Sequence, residues 1–203
     1  NRAAELRRVL AGFPEVVLIE DDHAGPVAGA PAITLSGDRA RWATVRSVSK
    51  SLGPDLRVSV MAGDALTVAR VQGRQSLGPR WVSHILQDLV AAMWADAKTP
   101  VLLQTAADAY AGRRRALIEA LAEHGIEARG RSGLNVWVAV AEEAAVVNAM
   151  ATKGWAIRAG ECYRIKSAPG IRVTISTLTP EDARRFAADL AEAIRPRSHA
   201  QSA

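Results

Sequence analysis

The stretch SVSKSLGPDLR, Ser47 to Arg57, decides how this chain is read. It overlaps the end of ATVRSVS (Ala43 to Ser49), a short β-rich run, and leads into RVSVMAG (Arg57 to Gly63), another such run. Upstream, VVLI (Val16 to Ile19) is a continuous apolar run ending in Glu20-Asp21-Asp22. Short apolar runs bounded by Gly, Pro and Asp fit buried strands of an α/β sheet. The chain has four lysines: Lys98 and Lys153 fall at solvent-facing helical positions, Lys166 in a polar loop, and Lys50 directly after a predicted strand. A lysine at the carboxyl end of a sheet strand lies where open α/β sheets bind ligands. There its amine can act as a nucleophile toward a carbonyl. Ser47, Ser49 and Arg57 add hydroxyl and guanidinium donors suited to an anionic group. Asp21, at the end of the earlier strand, supplies the opposite charge. Singly, these residues also fit a surface turn, a structural arginine and a strand-end cap. As an ordered set they favour a site.

From Asp64 the pattern becomes helical. Asp64 caps a helix through Val71, and Pro79 opens a second one. Between Trp81 and Trp94, residues Val82, Ile85, Leu86, Leu89, Val90 and Met93 recur at the three-four spacing of a buried face. A long helical pattern follows Lys98 and stops at Gly125, a natural C-terminal cap that suggests a helix linking two domains. Beyond it a smaller α/β theme recurs. LNVWVAV, WAIRAG and IRVTIST read as strands, with helices over Glu142 to Lys153 and Pro180 to Ile194. The tail after Arg195 reads as polar and frayed.

Composition bounds the function classes. With 203 residues, 49% hydrophobic and 23% charged, the chain is long enough for a domain and a smaller partner, and it argues against broad disorder. No apolar run spans a bilayer. The lone Cys162 excludes an intrachain disulfide framework and points to a reducing cytoplasm. His23, His84, His124 and His199 show no metal-ligand spacing. The net charge of +5 admits a nucleic-acid partner, but the arginines are scattered. Their dense run, Arg113 to Arg115, is expected to be a solvated helix face.

The ordered blocks EDDH (Glu20 to His23), SKSLGPDLR (Ser49 to Arg57) and GIR (Gly170 to Arg172) resemble those of fold-type-I aminotransferases. They are most similar to the aminotransferase-like half of MocR-type transcription regulators of the GntR superfamily. GRQSLGPRWVSHILQ (Gly73 to Gln87) is also similar to a dimer-interface stretch of that family.

The resemblance implies an α/β fold: the second half of a fold-type-I large domain plus the small C-terminal α/β domain. Residues 1–98 would form the large-domain part, 99–125 the linking helix and 126–203 the small domain. It implies pyridoxal 5'-phosphate (PLP) as cofactor, with Lys50 forming the Schiff base and Asp21 pairing with the pyridinium nitrogen. Arg57 would bind the phosphate with Ser47 and Ser49, and Arg172 the α-carboxylate of an amino acid. His23 stands where the family usually has Tyr, and its imidazole N–H offers the same bond to the cofactor's phenolic oxygen. The start of the chain reads as part of a helix, and the resemblance implies a preceding half of the cofactor shell and a winged helix upstream, so this piece alone is expected to be inactive. The implied function is effector sensing: a homodimer binding an amino acid or amine as an external aldimine and reaching DNA through an N-terminal domain. Two other readings stand beside it, a free-standing PLP-dependent aminotransferase and a cofactor-free dimerisation scaffold.

Overall fold

The acidic triplet does not follow a strand; it forms the end of one. In the computed structural model, which describes residues 2–195, β1 is Leu18–Asp22, two residues later than the apolar run suggested. Before it comes helix α1 (Arg2–Ala11). Arg39 holds the end of this helix and the loop after it, donating to the carbonyls of Leu10, Phe13 and Val16. β2 (Trp42–Ser47) runs parallel to β1, and β3 (Ser59–Gly63) antiparallel to β2, giving the order β1-β2-β3.

Helix α2 (Ala65–Ser76) starts where predicted. The Asp64 carboxylate accepts the Thr67 N–H at 3.0 Å and also the Trp42 N–H at 2.9 Å, tying the helix start to the first residue of β2. Hydrogen bonds from Thr67 and then Trp42 hold the Asp64 carboxyl down to about 2. Pro79 does not open the next helix. Arg80 adopts a left-handed φ of 62°, which breaks the helical path, and α3 (His84–Ala95) begins only after the Ser83 cap. On α3, Val90 is buried and Leu86 half-buried, whereas Ile85 and Leu89 of the expected stripe are exposed.

The chain divides into two units, residues 2–107 and 108–195, and α4 (Lys98–Glu123) begins in the first and ends in the second. The second unit holds β4 (Ala128–Arg129), β5 (Asn135–Ala139), α5 (Glu143–Thr152), β6 (Arg158–Ala159), β7 (Gly170–Thr174) and α6 (Pro180–Ala193). Its sheet is antiparallel throughout, in the order β4-β5-β7-β6. One sheet face supplies Val136, Val138, Ile171 and Val173 to the core, joined by Leu117 and Leu121, Met150, and Phe186 and Leu190 from the helices. Thr179 caps α6 with Pro180 in its first turn, and Ala183, Phe186, Ala187 and Leu190 form the buried stripe at helical spacing. Burying Phe186 alone stabilises the unit by about 2–3 kcal/mol.

The arginine run on α4 is not a solvated face. Arg114 is buried and donates to the Gly133 carbonyl at 2.8 Å. Arg113 donates to the Ser176 carbonyl and lies over the Tyr110 ring, so Arg115 is the one of the three that is exposed. These cations tie the helix to loops of its own unit and are not available as a nucleic-acid stripe.

Candidate functional site

Strand alternation separates the three acidic residues. Glu20 and Asp22 share a face of the first sheet with their register partners Thr44 and Arg46, while Asp21, level with Val45, faces the other way. The two flanking acids have structural partners. Glu20 accepts from the Thr34 hydroxyl, the Leu35 N–H and the Thr44 hydroxyl at 2.6, 2.7 and 3.0 Å. Its partial burial works to raise the carboxyl pKa, yet these bonds outweigh it and the value lies below the ordinary one. Asp22 accepts from the Gly25 N–H at 2.7 Å and pairs with Arg46 at 3.1 Å. Asp21 is exposed, and among the described residues its carboxylate has no partner.

On the same face as Asp21, two residues farther along β2, stands Ser47. Because β1 and β2 are parallel, Asp21 and Ser47 lie toward the same, carboxyl, end of the sheet. Ser47 Oγ accepts the Ser49 N–H at 3.2 Å and lies 3.1 Å from Ser49 Oγ, which turns the chain out of the strand. Lys50 follows in that turn, three residues past the strand end, with its side chain exposed.

The loop is anchored between its cations. The Val48 carbonyl accepts N–H groups from Ser51, Leu52 and Gly53, and the Val48 N–H donates to the Val58 carbonyl at 3.2 Å, closing the neck. Val48, Val58 and Val90 form a small buried cluster onto which Leu52 and Leu56 pack. Gly53 has a φ of 146°, a region open in practice to glycine, and Pro54 then starts a short 3-10 turn, Pro54–Leu56. Arg57 ends that turn in the left-handed conformation, φ 50° and ψ 33°, two residues before Ser59, the register partner of Ser47. The two leucines of the motif therefore fix the loop, and Lys50 and Arg57 stand at its ends. Neither cation has a hydrogen bond or ion pair from its side chain among the described residues.

His23 is exposed directly after β1. Its neighbour Asp22 shapes the turn that follows, and a Cβ at Gly25 would come within 3 Å of that carboxylate. The sheet end thus gathers an unpaired carboxylate, an imidazole, two hydroxyls, a lysine amine and a guanidinium. This donor set fits a ligand combining a phosphate, a carbonyl and a basic ring nitrogen, which is the chemistry of PLP.

Arg172 lies in the second unit, on β7. Its guanidinium is 4.3 Å from the centroid of the Tyr163 ring, and its Nε is buried without a partner. Glu143 braces this region from the first turn of α5, accepting from Arg164 Nε and from the N–H groups of Gly170 and Glu161 at 2.7–2.9 Å. Those bonds, the one from Gly170 foremost, hold its carboxyl below the ordinary glutamate value. The sequence reading missed Tyr163 and Glu143. Tyr163 is an aromatic in an otherwise polar loop, which is a usable signal, but the role of Glu143 depends on a contact across 27 residues of chain.

A model of the family described as aminotransferase class I and II matches residues 3–190. The vitamin B6 salvage pathway transcriptional repressor PtsJ of Salmonella typhimurium is 39% identical over 198 residues, 96% of this chain and 46% of that protein. Among solved structures, kynurenine aminotransferase from Pyrococcus horikoshii has a TM-score of 0.81 at 19% identity, covering 95% of this chain and 51% of its own. The α-aminoadipate aminotransferase LysN from Thermus thermophilus, solved with N-(5'-phosphopyridoxyl)-L-leucine, has a TM-score of 0.79 at 18% identity, covering 95% of this chain and 53% of its own. The chain spans about half the length of the relatives it matches. With the fold, the sheet-end lysine and a family match over nearly all its length in agreement, the chain belongs to the aminotransferase class I and II family.

Proposed function

We propose that this chain is the PLP-binding, effector-sensing part of a MocR-type transcription regulator, which binds an amino acid or amine. The observation that carries the proposal is the set of groups without partners among the described residues at the carboxyl end of β1 and β2: Asp21 on β1, and Lys50 and Arg57 in the loop braced by Leu52 and Leu56. The similarity to a repressor of the vitamin B6 salvage pathway favours a regulator over a free-standing aminotransferase. When bound, PLP supplies an aldehyde that captures amines and a ring that withdraws electrons. Lys50 offers the amine that holds the aldehyde carbon, and Asp21 keeps a proton on the ring nitrogen. Arg57 binds the phosphate with Ser47 and Ser49, and His23 donates to the phenolic oxygen. Arg172 takes the α-carboxylate of the amino acid. A homodimer, and DNA binding through a winged-helix segment of the longer protein, belong to the same proposal.

Borohydride reduction after PLP addition, followed by peptide mapping of the full protein, tests the assignment. The reduced adduct is expected on Lys50. An adduct on Lys98, Lys153 or Lys166 would overturn the site, and no adduct at all would favour the cofactor-free scaffold.

A further inference from the structure

Arg172 has a second arginine beside it. The pairing of β7 with β5 and β6 puts Trp137, Arg172 and Arg158 on one rung, and β4 extends it to Arg129. Residues directly opposed in an antiparallel ladder project to the same face, with Cβ atoms roughly 5 Å apart. This face lies opposite the core, because the alternate residues Val136, Val138, Ile171 and Val173 are the buried ones. Like charges opposed across a ladder destabilise it. A counter-ion is therefore expected, and among the described residues none is bonded to either arginine.

Among the described residues, no acidic group on the flanking segments bonds Arg158 or Arg172. Glu127 holds Arg129 at 2.8 Å, and Glu143 holds Arg164 with the N–H groups of Glu161 and Gly170. Glu161, in the turn after β6, bonds through its own N–H, and among the described residues its carboxylate makes no bond to either arginine. Among the described residues no acceptor bonds the side chain of Arg158 or Arg172. The surroundings fix Arg172 without neutralising it. Tyr163 stacks on its guanidinium, and the Trp137 indole lies so close to Gly160 and Gly170 that a Cβ on either would come within 3 Å of it. Two guanidinium groups thus share one aromatic-walled face.

The geometry points to a two-anion site, in which Arg172 takes the α-carboxylate and Arg158 a second carboxylate on the same ligand. The amino acid recognised by this chain is then an amino dicarboxylate of the aspartate or glutamate class, and Arg158 is its specificity determinant. The inference rests on the role proposed above for Arg172.

The test compares L-glutamate with its neutral isostere L-glutamine on the full protein loaded with PLP, in the native form and as Arg158→Gln. Binding is followed by calorimetry and by the indole N–H resonance of Trp137, which is assigned with Trp137→Phe. Glutamate is expected to bind the native protein about tenfold tighter than glutamine, the value of one charge-assisted bond. Arg158→Gln, an exposed substitution, is expected to abolish that preference and leave glutamine affinity unchanged. A native protein without the preference, or a variant that keeps it, would overturn the inference. Failure to trap PLP on Lys50 sinks the cofactor proposal separately. In that case glutarate replaces glutamate, glutaramate replaces glutamine, and the same comparison at Trp137 decides the two-anion site.

Discussion

Replacing Arg57 by glycine is expected to separate stability from cofactor binding. Arg57 holds φ 50° and ψ 33°, and its side chain has no partner among the described residues. A residue with a Cβ in the left-handed region costs roughly 1–2 kcal/mol relative to its preferred conformations. Glycine removes that cost but loses about 0.5–1 kcal/mol of chain entropy on folding. The unliganded chain should therefore gain about 0.5–1 kcal/mol, a rise in melting temperature of roughly 1–4 °C for a chain of this size. Cofactor binding should move the other way. Losing a charge-assisted pair with the phosphate costs roughly 1.5–3 kcal/mol, which is about one to two decades in Kd. Urea denaturation of the apo-protein and absorbance titration with PLP measure the two effects independently. Arg57→Gly that destabilises the apo-protein by more than about 1 kcal/mol would mean that the guanidinium has a structural role. Unchanged PLP affinity would remove Arg57 from the site.

Arg172→Ala should leave PLP affinity nearly intact and abolish the response of the bound cofactor's absorption to added amino acids; loss of PLP itself would refute the assignment. Asp64→Ala should lower the melting temperature at neutral pH by removing the cap of α2 and the bond to Trp42. Because the folded carboxyl is depressed from 3.8 to about 2, its contribution is present above pH 4 and lost as pH falls through 2. The gap between native and variant melting curves should close over that window, and a gap independent of pH would contradict the role of the charge.

Much of the candidate site could be proposed from the chain because its signals are local. Lys50 stands out by its position after a strand, and the Asp64 cap of α2 depends on neighbours within a few residues. The division of labour among Glu20, Asp21 and Asp22 was hidden by where β1 ends. With the strand stopped at Ile19 the three acids form one cluster, and with it extended to Asp22 alternation sends the middle one to the opposite face. Pro79 has the fixed φ of a helix start, but the left-handed Arg80 next to it overrides that preference. The acceptors of Arg113 and Arg114 lie 63 and 19 residues away, so no local pattern marked that run as buried. The Arg158–Arg172 pairing is likewise a matter of strand register, which neither segment carries alone.

The loop from Ser49 to Arg57 assigns anchoring and chemistry to different residues. Leu52 and Leu56, with Val48, Val58 and Val90, hold its shape, while Lys50 and Arg57 make no side-chain bond among the described residues. If Lys50 holds PLP as proposed, a lineage can therefore shed the cofactor in a single substitution there without selection on folding opposing the change. Descendants of such a loss would keep both leucines and drift at the two cations. Across homologues, the pattern to look for is constancy at 52 and 56 combined with variation at 50 and 57, which on the proposed function would mark members that no longer bind PLP.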